Sequence, residues 1–206
     1  MSWTILLAFW AAFALALLSP GPNFAVILGT SLRQGRAAAL RVAIGFVIGE
    51  VIWGGAAIFG IAALVSQYPW IATILRTGGG LYLLYLAVRS LLAACRQDEP
   101  VQTDEPSAAP HAGGVWRGLG LMMLNPKAGV FWVSLTGLFI TPESPVAMGL
   151  VAVAGAALMS LLWHGALALA FTTSMAASMY RRMRRPFEAV LGVVLTGLGL
   201  RLITAG

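Results

Sequence analysis

The stretch WTILLAFWAAFALALLSPGPNFAVILGT, residues 3–30, decides the fold. It is almost wholly apolar through Leu18; Ser19-Pro20-Gly21-Pro22-Asn23 then interrupts it, and apolar character resumes as far as Gly29. A bilayer core about 30 Å thick takes roughly 20 residues of helix to cross, so the stretch is long enough for one tilted span with a break inside it. It lacks the basic leading region and small-residue cleavage pattern of a secretory signal, and the expectation is a span that is retained. Proline has no N–H to donate and crowds the carbonyl one turn back. Pro20 and Pro22 therefore leave the carbonyls of Ala16 and Leu18 without helical partners. Inside a membrane such a break is tolerated only where it packs in protein or lines a wet cavity.

The rest of the chain has the same character. Of its 206 residues 59% are apolar and only 10% charged, with a mean hydropathy of +0.87, against about 25% charged in soluble domains. Apolar runs near 40–65, 71–94, 116–140, 146–178 and 187–205 join 3–30 to make six candidate spans. The sequence thus predicts an all-α membrane protein with six transmembrane helices. The fourth run is interrupted like the first, by Asn125-Pro126-Lys127, and Pro126 frees the carbonyl of Met122. Cys95 is the one cysteine, which excludes an internal disulfide or a two-thiol relay, and no Cys/His spacing suits zinc. No metal or cofactor is expected. The net charge of +6 comes from basic residues that flank apolar runs. It reads as membrane orientation and not as nucleic-acid binding.

The chain divides at residues 96–114, where Asp98, Glu99, Asp104 and Glu105 mix with Pro100, Pro106 and Pro110 and little can be buried. That composition predicts a flexible linker between residues 1–95 and 115–206. Each flanking segment holds three spans, and an odd number of crossings reverses the chain, so the segments are expected as two inverted three-helix repeats. Each opens with a Pro-broken helix, continues with a span carrying one ionisable residue, Glu50 or His164, and closes with a more regular helix. Paired interrupted helices in corresponding halves point to a transporter's binding site. Ten arginines gather in the one–two, three–four and five–six connections and their flanks: Arg33, Arg36 and Arg41; Arg89, Arg96 and Arg117; Arg181, Arg182, Arg184 and Arg185. The opposite side has Arg76 and Arg201. Basic residues stay on the cytoplasmic side, so both termini are expected outside.

Past each break a new half-helix starts with unpaired N–H groups and a partial positive charge, suited to a carboxylate; ahead of it, bare carbonyls suit an ammonium. Two breaks offer both poles of an amino-acid zwitterion. Ser19, Pro20, Gly21, Pro22, Asn23, Asn125, Pro126 and Lys127 are therefore the candidate substrate-binding residues. The plainer reading of either break is a kink repaired by neighbouring helices. Glu50 lies about 15 Å along the second span at 1.5 Å per residue, near the midplane, where an ionised carboxylate is costly unless it takes up a proton. It is the candidate proton carrier, the alternative being a protonated carboxyl bonded between helices. Lys127 can pair with Glu50, bind a substrate carboxylate or fill the substrate's cation site when that site is empty. His164 reads either as a hydrogen-bonded core imidazole or as a second proton-coupling group. Gly45 and Gly49 form a GxxxG pattern that permits close helix approach, best read as packing of the second span against a broken helix. Trp3, Trp70 and Trp116 fit an interfacial belt, and Trp53, Trp132 and Trp163 fit packing or cavity-wall positions.

Ser19-Pro20-Gly21-Pro22-Asn23 and Asn125-Pro126-Lys127-Ala128 resemble signatures of the LysE/RhtB family of amino-acid exporters. Arg36 to Glu50 resembles that family's basic loop and Gly-rich second span; Gly80-Leu81-Tyr82-Leu83-Leu84-Tyr85 is similar to its third. The Arg-rich entry into Gly192 and Gly197-Leu198-Gly199 is similar to its last. The resemblance implies export of amino acids or close derivatives across the inner membrane, driven by the proton gradient. The expected function is secondary active transport by alternating access and proton antiport, with an amino acid, protons and the bilayer as partners and homo-oligomerisation left open. The alternatives are a passive small-solute channel and a non-transporting accessory subunit. An intramembrane enzyme would need a nucleophile with a base, or a carboxylate pair. The spans hold no such pair, and no enzymatic activity is expected.

Overall fold

The backbone at each proline and glycine junction sets the helix boundaries. The computed structural model describes residues 3–18, 22–60, 67–95, 114–139, 145–170 and 174–204; Ser19, Pro20, Gly21 and the acidic linker lie outside the described residues. The elements are α1 (Trp3–Leu18), α2 (Pro22–Gln34), α3 (Arg36–Gly55, continued by a π-helical turn Ala56–Gly60), α4 (Pro69–Cys95), α5 (Gly114–Met123), α6 (Pro126–Phe139), α7 (Val146–Ala170) and α8 (Ser174–Thr204). There is no strand among the described residues. Pro22, Pro69 and Pro126 each occupy the first position of a helix, where the missing N–H would have had no partner anyway.

Among the described residues four helices are long and apolar enough to cross a bilayer, Arg36–Gly60, Thr73–Cys95, Val146–Ala170 and Arg185–Thr204; Trp3–Leu18 with Asn23–Gln34, bent by 50°, makes up to a fifth. Large apolar side chains such as Leu81, Leu162 and Val193 stand exposed on their outer faces. In water this would be unfavourable, and in lipid it is the expected surface. The chain is a multi-pass helical membrane protein.

Two junctions differ from the sequence expectation. The basic connection after the first span is almost entirely helical, because a single residue, Gly35 at φ +83°, makes the whole turn from α2 into α3. Its N–H donates to the Ser31 carbonyl at 3.1 Å, and the Ala39 N–H donates to the Gly35 carbonyl at 3.2 Å. Glycine takes a positive φ without the steric penalty of a Cβ. The arginine cluster expected as the loop between spans five and six is helical as well, since α8 starts at Ser174 and α7 ends at Ala170. Arg, Met and Ala are strong helix formers, and leaving hydrocarbon does not by itself end a helix. Glu188 lies well within α8 and is buried.

Packing falls into two clusters. One joins α1, α4, α6, α7 and α8 through Leu6, Phe9, Leu83, Trp132, Ala152 and Leu195; the other joins α2, α3, α5 and α7 through Ile27, Val42, Phe46, Met122 and Leu167. Trp53 adjoins both. The tightest crossing is α3 on α5. A Cβ on Gly45 would stand 2.1 Å from the Val115 carbonyl oxygen, and one on Gly118 would stand 2.2 Å from that of Val42. Gly49 receives the Met122 side chain, whose Cγ stands 2.6 Å from where a Cβ on Gly49 would be. The GxxxG face therefore packs α3 against the helix that ends just before Pro126, and this carries Glu50 to the interruption.

Candidate functional site

The end of α1 and the start of α2 meet the end of α5 and the start of α6 around a cavity of about 70 Å³, room for roughly two waters at about 30 Å³ each. Its polar lining is Asn23, Asn125, Glu50 and His164; the remainder is apolar or aromatic, including Phe13, Ala16, Phe24, Phe131, Trp132 and Trp163. The two asparagines belong to different interruptions and bond to each other, with the Asn125 amide donating to Asn23 Oδ1 at 3.3 Å. The Asn23 amide donates to the Met122 sulfur at 3.3 Å.

The carbonyl that Pro126 cannot engage is accounted for. The Met122 carbonyl accepts the Trp53 indole N–H at 3.2 Å and the Asn125 backbone N–H at 3.2 Å. These are the partners a bare carbonyl requires where water is scarce. Glu50, only 6% exposed, accepts the indole N–H of Trp132 on its Oε2. His164 is equally buried and places Nδ1 at 3.0 Å from the Ser160 carbonyl and 3.1 Å from the Ser160 hydroxyl. A carbonyl can only accept, so the Nδ1 proton points back along α7. The Phe46 ring meets the imidazole edge-on, centroids 5.3 Å apart.

Of the residues singled out in the sequence, Asn23, Asn125, Glu50 and His164 are thus brought to one cavity. Pro22, Pro126 and Lys127 lie in the first turns of α2 and α6, with their side chains outside the described residues, as are Ser19, Pro20 and Gly21 altogether. No group of acidic, histidine or cysteine side chains suited to a metal ion occurs among the described residues.

The LysE type translocator family matches residues 14–206. The chain belongs to that family. It is 33% identical over 94% of its length to the uncharacterized membrane protein YahN of Escherichia coli K12, covering 86% of that protein. It is 28% identical to the threonine efflux protein of Salmonella typhi, over 91% of this chain and 92% of the relative. A leucine efflux protein of Klebsiella pneumoniae is 35% identical over 60% of this chain and 58% of its own length. No solved structure matches. As a LysE type translocator the chain is a membrane transporter, in line with the family resemblance of its sequence.

In this translocator the sequence marks the polar groups of the cavity better than its walls. Ser160 stands four residues before His164, the spacing that stacks side chains on one helix face, and its role was available from that signal. The bond from Trp132 to Glu50 spans 82 positions and leaves no local trace. Trp3, Trp70 and Trp116, placed at span ends by sequence, are 70%, 62% and 76% exposed.

Proposed function

We propose that this translocator exports a small amino acid across the inner membrane by alternating access, in exchange for protons. The observation that carries the reading is the Asn23–Asn125 hydrogen bond inside a cavity that also contains Glu50 and His164. It ties the start of one half-helix to the start of the other, and it is a bond that a zwitterion can replace. The substrate carboxylate takes the asparagine amide donors at the starts of α2 and α6, where the helix dipole favours negative charge. The ammonium takes the carbonyls that end α1 and α5. Glu50 exchanges its proton with the outside as the substrate leaves, and Lys127 balances charge from the first turn of α6. The efflux proteins of threonine and leucine among the relatives support an amino acid as the cargo.

Two inverted repeats, α1–α4 and α5–α8, complete the reading. At 1.5 Å per residue α5 and α6 add about 15 Å and about 21 Å, enough together for a sixth, interrupted span that mirrors α1–α2. The packing pairs off accordingly: α4 lies on α8 and α3 on α7, while α3 touches α5 and α6 as α7 touches α1 and α2. The two repeats rock against each other in the transport cycle, and both termini face outward.

Counterflow tests the proposal. Vesicles containing the purified protein and loaded with unlabelled L-threonine or L-leucine should accumulate the same labelled amino acid transiently, with saturation. A flux that neither saturates nor shows counterflow would make the protein a channel, and no flux of any amino acid would leave it an accessory subunit.

A further inference from the structure

Two tryptophans on different helices are exchanged across the α3–α6 contact. Trp132 of α6 lays its ring on Gly54 of α3, with ring atoms 2.9 and 3.0 Å from where a Cβ would sit. Trp53 of α3 lays its ring on Gly129 of α6, at 2.7 to 3.1 Å. Neither glycine can carry a side chain without displacing the opposite indole. Each indole N–H also ends on a specific acceptor: Trp132 on the Glu50 carboxylate and Trp53 on the Met122 carbonyl. Those acceptors are a carboxylate and a proline-freed carbonyl beside one cavity, the pair that an incoming ammonium would seek. Trp132 is fully buried and leans on Phe9 and Phe13 of α1, at ring separations of 6.0 and 5.5 Å. Otherwise α6 rests mainly on α4, so the exchanged rings are its principal hold on α3.

We propose that Trp53 and Trp132 are positioning residues that couple occupancy of the cavity to movement of α6, their two indole N–H groups standing in for the substrate's ammonium when the cavity is empty. A primary ammonium has three N–H donors and a full charge, so at Glu50 and the Met122 carbonyl it outcompetes a neutral indole N–H. Once displaced, each indole has lost the bond that seats its ring on the facing glycine. The α3–α6 contact then loosens, and α6 swings about Leu124–Asn125, the residues between α5 and α6. Without an ammonium the bonds reform and the cavity closes. The two tryptophans thus tie opening to loading and suppress leakage by the empty carrier. The chemistry rests on the amino-acid reading above only for the identity of the ammonium; the closure of the empty protein is separate from it.

The test reads closure without any substrate. In protein carrying C95S, a reporter cysteine is placed in the cavity wall by A128C, and the protein is set in nanodiscs, where both faces meet a charged maleimide. Labelling of the reporter should be slow in this background and about tenfold faster when W132F or W53F is added. That is the order of change in an open-to-closed ratio expected on losing one hydrogen bond to a buried acceptor. E50Q, which keeps an oxygen acceptor for the indole, should label nearer the background rate than E50L, which should match W132F. W116F, at an exposed position, should leave the rate unchanged. Elution as a single monodisperse peak is required of each variant, and either tryptophan variant that meets it decides the matter. Unchanged labelling in W132F and W53F, or E50L no faster than E50Q, would overturn the coupling. If the labelling follows the expected pattern while no amino acid shows counterflow, the coupling stands and the amino-acid reading fails. If counterflow is seen while labelling is unaltered, the amino-acid reading stands and the coupling fails.

Discussion

At the scale of single residues, the polar groups of the site have identifiable partners, and two of these pairings make separate predictions. Glu50 to Gln preserves shape and an acceptor for the Trp132 indole but removes the exchangeable proton. Efflux driven by an imposed pH gradient should fall to background in E50Q while counterflow of the same amino acid persists; undiminished gradient-driven efflux would remove Glu50 from the proton path. The asparagine bridge can be weighed directly. Thermal unfolding of N23A, N125A and the double variant in detergent should give a coupling energy of about 0.5–1.5 kcal/mol, the usual net value of one hydrogen bond. A coupling near zero would mean that the amides meet without stabilising the interruption. Asn23, Asn125, Glu50 and His164 were legible because their signals are local: an amide beside a proline, or an ionisable group in an apolar run. Which group answers Glu50 was not. The partner of Glu50 is on another helix, and only the fold brings Trp132 to it.

At the scale of helices, glycine decides which backbones can touch. Gly45 and Gly118 meet where α3 crosses α5, and the atoms in the way of a Cβ are backbone carbonyls and amides that cannot rotate aside. G118V should therefore force the helices apart and lower the unfolding midpoint by the equivalent of about 1–3 kcal/mol, as overpacking does. It should also impair transport, because Glu50 is carried on the same face of α3. Two residues along α5, Gly120 has nothing within 4 Å of its Cβ position, and G120A should be neutral or stabilise by up to about 1 kcal/mol through helix propensity. Comparing the two midpoints checks the crossing; equal behaviour would refute it. The GxxxG spacing made this contact legible, since Gly45 and Gly49 share a face and small residues invite a neighbour. Helix ends were less so. The sequence pattern places a boundary wherever apolar character stops, yet α8 continues through Arg181, Arg182, Arg184 and Arg185 and accommodates Pro186, because arginine sustains a helix as well as leucine does. Likewise the turn from α2 to α3 needs only Gly35, where a loop of several basic residues was expected.

At the scale of the whole molecule, orientation follows from charge, and the chain carries its own reporter of it. The arginines of the three expected cytoplasmic connections outnumber those of the opposite side, and the retention of Lys and Arg on the cytoplasmic side is strong enough to set topology by itself. Cys95 is the one cysteine in the sequence and sits exposed at the end of α4, next to the acidic linker. If α4 runs inward, that thiol lies on the cytoplasmic face. A membrane-impermeant maleimide applied to intact cells should then leave Cys95 unmodified, while the same reagent on inside-out vesicles should label it. Cys95 to Ser should abolish the signal in both. The opposite pattern would place the termini inside, while protons entering down their gradient would still drive the substrate outward, because the gradient and not the carrier's orientation sets the direction of exchange. The six spans proposed above cannot by themselves set the sidedness of that thiol, because an even number would put both termini on the same side without saying which, and only the basic residues break the tie.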